Sequence, residues 1–351
     1  MAIATNKNRR ELAWLIVLAW SLLVLIYRVP DSLDLSRYYE DVRSFSGNAL
    51  QYLRYSLDTN YDFIYIFSLK MLYDLGVPMG IGTIAYVSLY FIIALKIVFY
   101  AWGKLDGSPI PFMVTACICL LQPFSRIVCV SRTTAALCFL YIAFFYFYKR
   151  KNVYAATFAA LAVLTHVSMV MFILVILLGA FINPMLEKGN KKGAVVTLAV
   201  GVVALIALST FFSSFIDVLS VSDIADTRYS QYVDTGRDTS NYLLQSNVSK
   251  GVRANMAVVI IFNAILLFYD KKWDIFSSIL LVSEIITVFF VASPLSFLSV
   301  RFSMFITPFF GMVLCKDYMY NNRRKRILNM LIYLVFFTQL WEIYNSRVDF
   351  F

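Results

Sequence analysis

Apolar residues along this chain gather into long runs separated by short basic or polar segments. The runs fall near 12–29, 80–102, 111–124, 127–148, 153–166, 168–182, 194–212, 255–270, 274–292, 298–315 and 327–345. About 18 apolar residues in helical conformation cross a bilayer core of roughly 30 Å. The pattern therefore predicts an all-α polytopic membrane protein with about 11 transmembrane helices, forming one integral-membrane domain over 1–351. The first run follows Lys7, Arg9 and Arg10 and ends in "IYRVPD" without a small-residue cleavage pattern, so it is expected to stay as an uncleaved span.

Between the first two runs lies a polar and aromatic stretch at 30–79, too polar over its first half to cross. Leu35, Tyr38, Tyr39, Val42 and Phe45 recur there at helical spacing, as in an amphipathic helix lying at an interface. Basic clusters then set sidedness. "KRK" at 149–151, "KGNKK" at 188–192, "DKKWD" at 270–274 and "NNRRKR" at 321–326 all fall on the N-terminal, cytoplasmic side, provided that 61–77 is an interfacial or re-entrant helix on the outer face. The C-terminus is then periplasmic. Residues 152–181 must leave the cytoplasm and return within 30 residues, which predicts a helical hairpin. Its tip is "LTHVS", where water and a polar substrate are expected to reach His166, the single histidine of the chain. A large periplasmic loop is expected at 213–254, carrying "DTRYSQYVDTGRDTSNY" in the manner of a binding lid.

Composition sharpens this picture. Sixty per cent of the residues are hydrophobic and 15% are charged, more apolar surface than a soluble core of this length buries. The net charge of +10 follows largely from the positive-inside bias and gives no support to nucleic-acid binding. The five cysteines lie in or beside apolar runs with no CxxC pair, so they are expected to be packing residues. "GVPMGIG" lacks a following GK[ST], and no metal-binding motif is present; neither nucleotide, metal nor other cofactor is expected.

The two faces differ in which cation they use. On the predicted outer side stand eleven arginines and two lysines, against six arginines and eleven lysines inside. A guanidinium fork remains charged and grips phosphate oxygens in pairs, whereas arginines that merely snorkel or pair with carboxylates would show the same bias less purposefully. Arg132 and Arg301 each open an apolar run. His166 suits either an acid–base group or a hydrogen-bonded packing residue. Glu284, midway along its run, is a rival functional acid.

At these positions the chain resembles a known family. "DLSRYY", "YDFIYIFSLKMLYDLG", "SRIVCVSRTTAALCFLYIAFFYFYKRKNVYAATFAALAVLTHVSMVMF", "RYSQY" and "RFSMF" are similar to the EpsG family, close to the Wzy-type O-antigen polymerases. The resemblance implies a glycosyltransferase-C-like polymerase in the bacterial inner membrane. It would transfer a glycan from undecaprenyl pyrophosphate to another lipid-linked repeat unit on the periplasmic face, without a metal, and possible company includes a chain-length regulator. The product would be O-antigen, capsule or exopolysaccharide. The resemblance assigns catalytic roles to Arg132, Arg301, His166, Asp34 and Asp62, and substrate binding to Arg37, Tyr38, Arg126, Arg228, Tyr229 and Tyr232. Two alternatives stay open from the sequence: a flippase or transporter of lipid-linked oligosaccharide, and an O-antigen ligase-like glycosyltransferase.

Overall fold

The computed structural model describes residues 18–19, 34–59, 63–122, 127–128, 130–221, 248–270, 273–291 and 296–345. The predicted first span at 12–29 therefore lies outside the described residues except at two positions. Fourteen α-helices and one 3₁₀ turn, with no strand, make up the described residues. Three come before the bundle: α1 (Asp34–Ser44), α2 (Ala49–Thr59) and α3 (Ile64–Asp74). Leu35, Tyr38 and Val42 of α1 are buried while Glu40 and Arg43 are exposed, the one-sided burial that their spacing predicts. These helices form a small core of their own, in which Tyr38, Val42, Tyr52, Tyr65, Ile66 and Leu69 meet Ala135 of the main bundle.

The main bundle comprises α4 (Met79–Leu105), α5 (Phe112–Leu120), α6 (Ser131–Tyr148), α7 (Asn152–Thr165), α8 (Met169–Glu187), α9 (Lys191–Val221), α10 (Val248–Tyr269), α11 (Ile275–Val291), α12 (Ser296–Phe305), α13 (Thr307–Tyr320) and α14 (Lys325–Asn345). Among the described residues, α4 and α8 are long and apolar enough to cross a bilayer, and 152–165, 254–269 and 275–289 are shorter apolar helices. Outward faces are themselves apolar: Val195, Val196, Val200 and Val203 on α9, and Tyr333, Phe337, Leu340 and Trp341 on α14 are all exposed. Such continuous apolar surface suits a lipid solvent.

At the centre is α13, whose residues from Thr307 to Asp317 are all buried, packed among α4, α5, α10 and α11. The single apolar run expected at 298–315 is not one helix. It breaks at Ile306, because Pro308 offers no N–H to the Met304 carbonyl four residues back. Neighbouring hydroxyls satisfy that carbonyl: Tyr90, Tyr141 and Thr307 lie 2.8, 2.9 and 3.0 Å from it. Tyr141 also reaches the Phe305 carbonyl at 3.2 Å, and the Gln122 amide donates to that of Ser303. A break deep in a bundle survives only with such replacements.

Elsewhere, helices meet by close backbone approach. A Cβ on Gly179 of α8 would stand 2.9 Å from the Ile279 Cα of α11, and beside it the Ser278 hydroxyl donates to Asn183 at 3.0 Å. At one end, Lys316 of α13 bonds Asp270 at 2.8 Å and Asp274 at 3.2 Å, tying the α10–α11 connection to the central helix. Four cysteines, Cys117, Cys119, Cys138 and Cys315, are buried free thiols, as expected of packing residues.

The Gly179 contact yields a test in which two effects oppose each other. Alanine gains about 1 kcal/mol of helix propensity over glycine, but its methyl meets backbone that cannot rotate away, at a cost of about 1–3 kcal/mol. Gly179→Ala is expected to lower the thermal midpoint of the detergent-solubilised protein, whereas Gly103→Ala, at an exposed position near the end of α4 where a Cβ meets nothing within 4 Å, should not. An unchanged or raised midpoint for Gly179→Ala would contradict the tight α8–α11 approach.

Candidate functional site

The candidate residues that the structure describes gather around the start of α6. The Lys149–Lys151 turn folds α7 back along α6, the most extensive helix pairing among the described residues, so Thr165 and His166 return towards the end of α6 that carries Ser131 and Arg132. The expected turn is present, with His166 ending α7 in an extended conformation and α8 starting at Met169, but α7 lies along α6 rather than pairing lengthwise with α8. The histidine itself is buried, at 4% exposure, rather than open to water as the sequence suggested. Its access to a substrate therefore depends on the neighbouring elements.

The α1–α3 unit supplies those neighbours. Tyr65, near the start of α3, is fully buried and donates its hydroxyl to Ser131 Oγ at 2.6 Å. Burial raises its phenol pKa well above the ordinary tyrosine value, the hydrogen bonds to Ser131 and Thr83 offsetting only part, so it works as a neutral donor. Tyr38 packs edge-on against Tyr65, with ring centroids 5.7 Å apart, and the Arg132 guanidinium lies 5.2 Å from the Tyr38 ring centre. A cation over an aromatic face is held in place without losing its charge. Next to it the Tyr39 hydroxyl pairs with Thr83 at 2.8 Å, and burial again raises the phenol pKa, against the opposing Thr83 bond and Arg43 charge.

Electrostatically, this corner favours an anion. Arg132 stands in the first turn of α6, no side chain caps that helix start, and helix N–H groups there point outward. Two hydroxyl oxygens in the same region, Thr133 Oγ1 and Ser168 Oγ, are buried and make no protein hydrogen bond. Arg301 approaches from α12. Phe302 and Phe305 of that helix stack on Phe172 of α8, at 4.6 and 4.9 Å, six residues beyond His166. Arg301 is thus seated by the same broken segment that Tyr90 and Tyr141 hold.

Of the residues nominated from sequence, Tyr38 and Arg132 are brought into direct contact; His166 ends α7 on the side of the bundle where α6 begins, and Arg301 stands on α12 next to Phe302, which packs against Phe172. Asp34 and Arg37 lie on α1, but their side chains fall outside what is described, as do Asp62, Arg126, Arg228, Tyr229 and Tyr232 altogether. Tyr65, Ser131, Thr133 and Gln122 were not singled out. The serine and threonine beside Arg132 in "SRTT" were the available signal, and the tyrosine's partner could not be read from local sequence.

A bundle of apolar helices carrying a polar, arginine-bearing corner is consistent with a membrane protein. The profile of the EpsG family matches residues 11–348, nearly the whole chain. The chain belongs to the EpsG family, which supports a membrane protein of polysaccharide biosynthesis. No curated protein and no solved structure matches it.

The Tyr65–Ser131 bond invites a cycle of variants. Ser131→Ala removes the acceptor nearest a buried phenol hydroxyl and leaves only Thr83 beside it, costing up to about 1–3 kcal/mol, whereas removing both hydroxyls can be nearly neutral. We expect Ser131→Ala to lower the unfolding midpoint and Tyr65→Phe/Ser131→Ala to recover most of the loss. A double variant as unstable as the sum of the singles would mean that the two hydroxyls do not depend on each other.

Proposed function

We propose that the protein is a metal-independent glycosyltransferase that polymerises lipid-linked repeat units at the outer face of the bacterial inner membrane. The observation that carries this reading is Arg132: it stands at an uncapped helix start, braced on the Tyr38 ring, in a family of polysaccharide biosynthesis. A glycan on undecaprenyl pyrophosphate presents two phosphates at headgroup level and a long apolar tail in the bilayer. Arginines at helix ends above an apolar bundle match both parts.

In the proposed reaction an acceptor hydroxyl of one repeat unit attacks the anomeric carbon of the other. A new C–O bond forms as the bond to the pyrophosphate oxygen breaks. The departing lipid pyrophosphate carries the electron pair, and fixed cations stabilise it as the charge develops. Arg132 and Arg301 take that role, with Arg126 and Arg228 assisting. The acceptor's proton goes to His166 or to one of Asp34 and Asp62. Arg37, Tyr38, Tyr229 and Tyr232 hold sugar hydroxyls and phosphate oxygens. Burial of His166 suits this chemistry if donor binding opens the α1–α3 unit over it.

Lysine substitutions separate a phosphate clamp from a membrane anchor. Lysine keeps the charge and can snorkel equally well, but it cannot grip two oxygens at once. If Arg132 and Arg301 clamp the leaving group, each lost contact costs about 2 kcal/mol in the transition state, roughly thirtyfold in rate. Polymer formation by Arg132→Lys and Arg301→Lys, at matched membrane levels and beside Arg347→Lys as a control, is expected to fall by that order in the first two alone. Wild-type activity in both would dismiss the clamp.

A further inference from the structure

Glu284 lies midway along α11 and takes no part in the site around Arg132. It is buried, and Oε2 accepts a hydrogen bond from Asn263 Nδ2 of α10 at 2.7 Å. Its second oxygen, Oε1, and the amide oxygen of Asn263 are both buried and make no hydrogen bond. Helices packed on α11 bring few charges. Lys316 on α13 is bonded to Asp270 and Asp274, and Asp317 to Arg324. Arg301 stands on α12, Glu187, Lys191 and Lys192 are exposed at the ends of α8 and α9, and Lys250 and Arg253 sit ten or more residues from Asn263 along α10. Among the described side chains none forms an ion pair with Glu284.

A carboxylate without a countercharge is among the most costly groups to bury in a bundle, and two orphaned oxygens add to that cost. One positive charge shared between Glu284 Oε1 and Asn263 Oδ1 removes both. Ser283 and Thr287 of α11 already give their protons to carbonyls four residues back, at 2.7 Å each, so they too offer only lone pairs. We propose that Glu284 and Asn263 form an interior binding site for one monovalent cation, either a proton or an alkali-metal ion. A single carboxylate is too little charge and too few oxygens for a divalent ion.

A route to the site is marked by further unsatisfied polar groups. Asn255, eight residues and about 12 Å along α10, donates to Thr338 of α14 at 3.1 Å. Its Oδ1 and both amide atoms of neighbouring Gln339 are buried without a hydrogen bond. These side chains lead from the N-terminal part of α10 towards Glu284, and can relay water or a small ion through an otherwise apolar interface. They have no role in the proposed transfer reaction, so this site stands independently of it.

The test is thermal unfolding of the full-length protein in detergent. One series raises pH in choline buffer, and another adds NaCl or KCl at the highest of those pH values. Wild type is expected to lose stability as pH rises, relative to Glu284→Gln, whose neutral amide needs no charge. Recovery on adding an alkali salt, absent with choline chloride, assigns the ion as metal; pH dependence without recovery assigns a proton. Asn263→Ala keeps the carboxyl and is expected to displace the midpoint by about tenfold in cation concentration. Parallel curves for wild type and Glu284→Gln in both series, as for a pocket filled by water alone, would overturn the site, as would an unmoved midpoint in Asn263→Ala.

Discussion

The carbonyl of Met304 is the point on which the arrangement turns. Pro308 denies it a helical partner, and in an apolar interior an unmet carbonyl costs about 1–3 kcal/mol. Tyr90 from α4, Tyr141 from α6 and Thr307 from α13 converge on it. Gln122, just past α5, supports the neighbouring Ser303 carbonyl and accepts the Ser303 hydroxyl at 3.3 Å. Four elements are thereby fixed around one break. Without the break, α12 would continue the line of α13; with it, Phe302 and Phe305 lean on Phe172 of α8, and Arg301 stands beside that contact.

Local pattern made much of this legible. The buried stripe of α1, the turn between α7 and α8, the long apolar helices α4 and α8 and the buried cysteines all follow from spacing and composition. What was not legible depends on partners far apart in the chain. Tyr65 finds Ser131 66 residues away, and Tyr90 finds Thr307 217 residues away, so no window of sequence reveals either. The break at Ile306 was hidden because its residues are as apolar as the helix around them; only Pro308 hinted at it. His166 looked accessible because it sits at a turn, yet the α1–α3 unit packs against the same end of the bundle. Tyr38 was read as a substrate ligand from its own segment, whereas Tyr65, which was not singled out, is the buried donor to Ser131 beside it.

Family membership and geometry divide the molecule into two regions. One is the corner around the start of α6, where a guanidinium, helix N–H groups and orphaned hydroxyls suit an anion. The other is the α10–α11–α14 interface, where amides and one carboxyl lie in a wall of apolar side chains. Helix association in a bilayer gains little from hiding apolar surface, because lipid is equally apolar. Polar contacts and close approaches such as Gly179 therefore carry more of the specificity than they would in water. The cost is that each polar group must be answered, and the unanswered ones mark where ligands belong.

The account's central claim is that this protein joins sugars rather than moving them across the membrane. It is tested most directly by placing the purified protein in liposomes with a defined undecaprenyl-pyrophosphate-linked repeat unit, with EDTA present and no nucleotide. Glycan length on the lipid and free undecaprenyl pyrophosphate are then measured together. The account predicts lengthened glycan and one lipid pyrophosphate released per bond formed. Redistribution of the lipid-linked unit between leaflets, with no lengthening and no release, would contradict it.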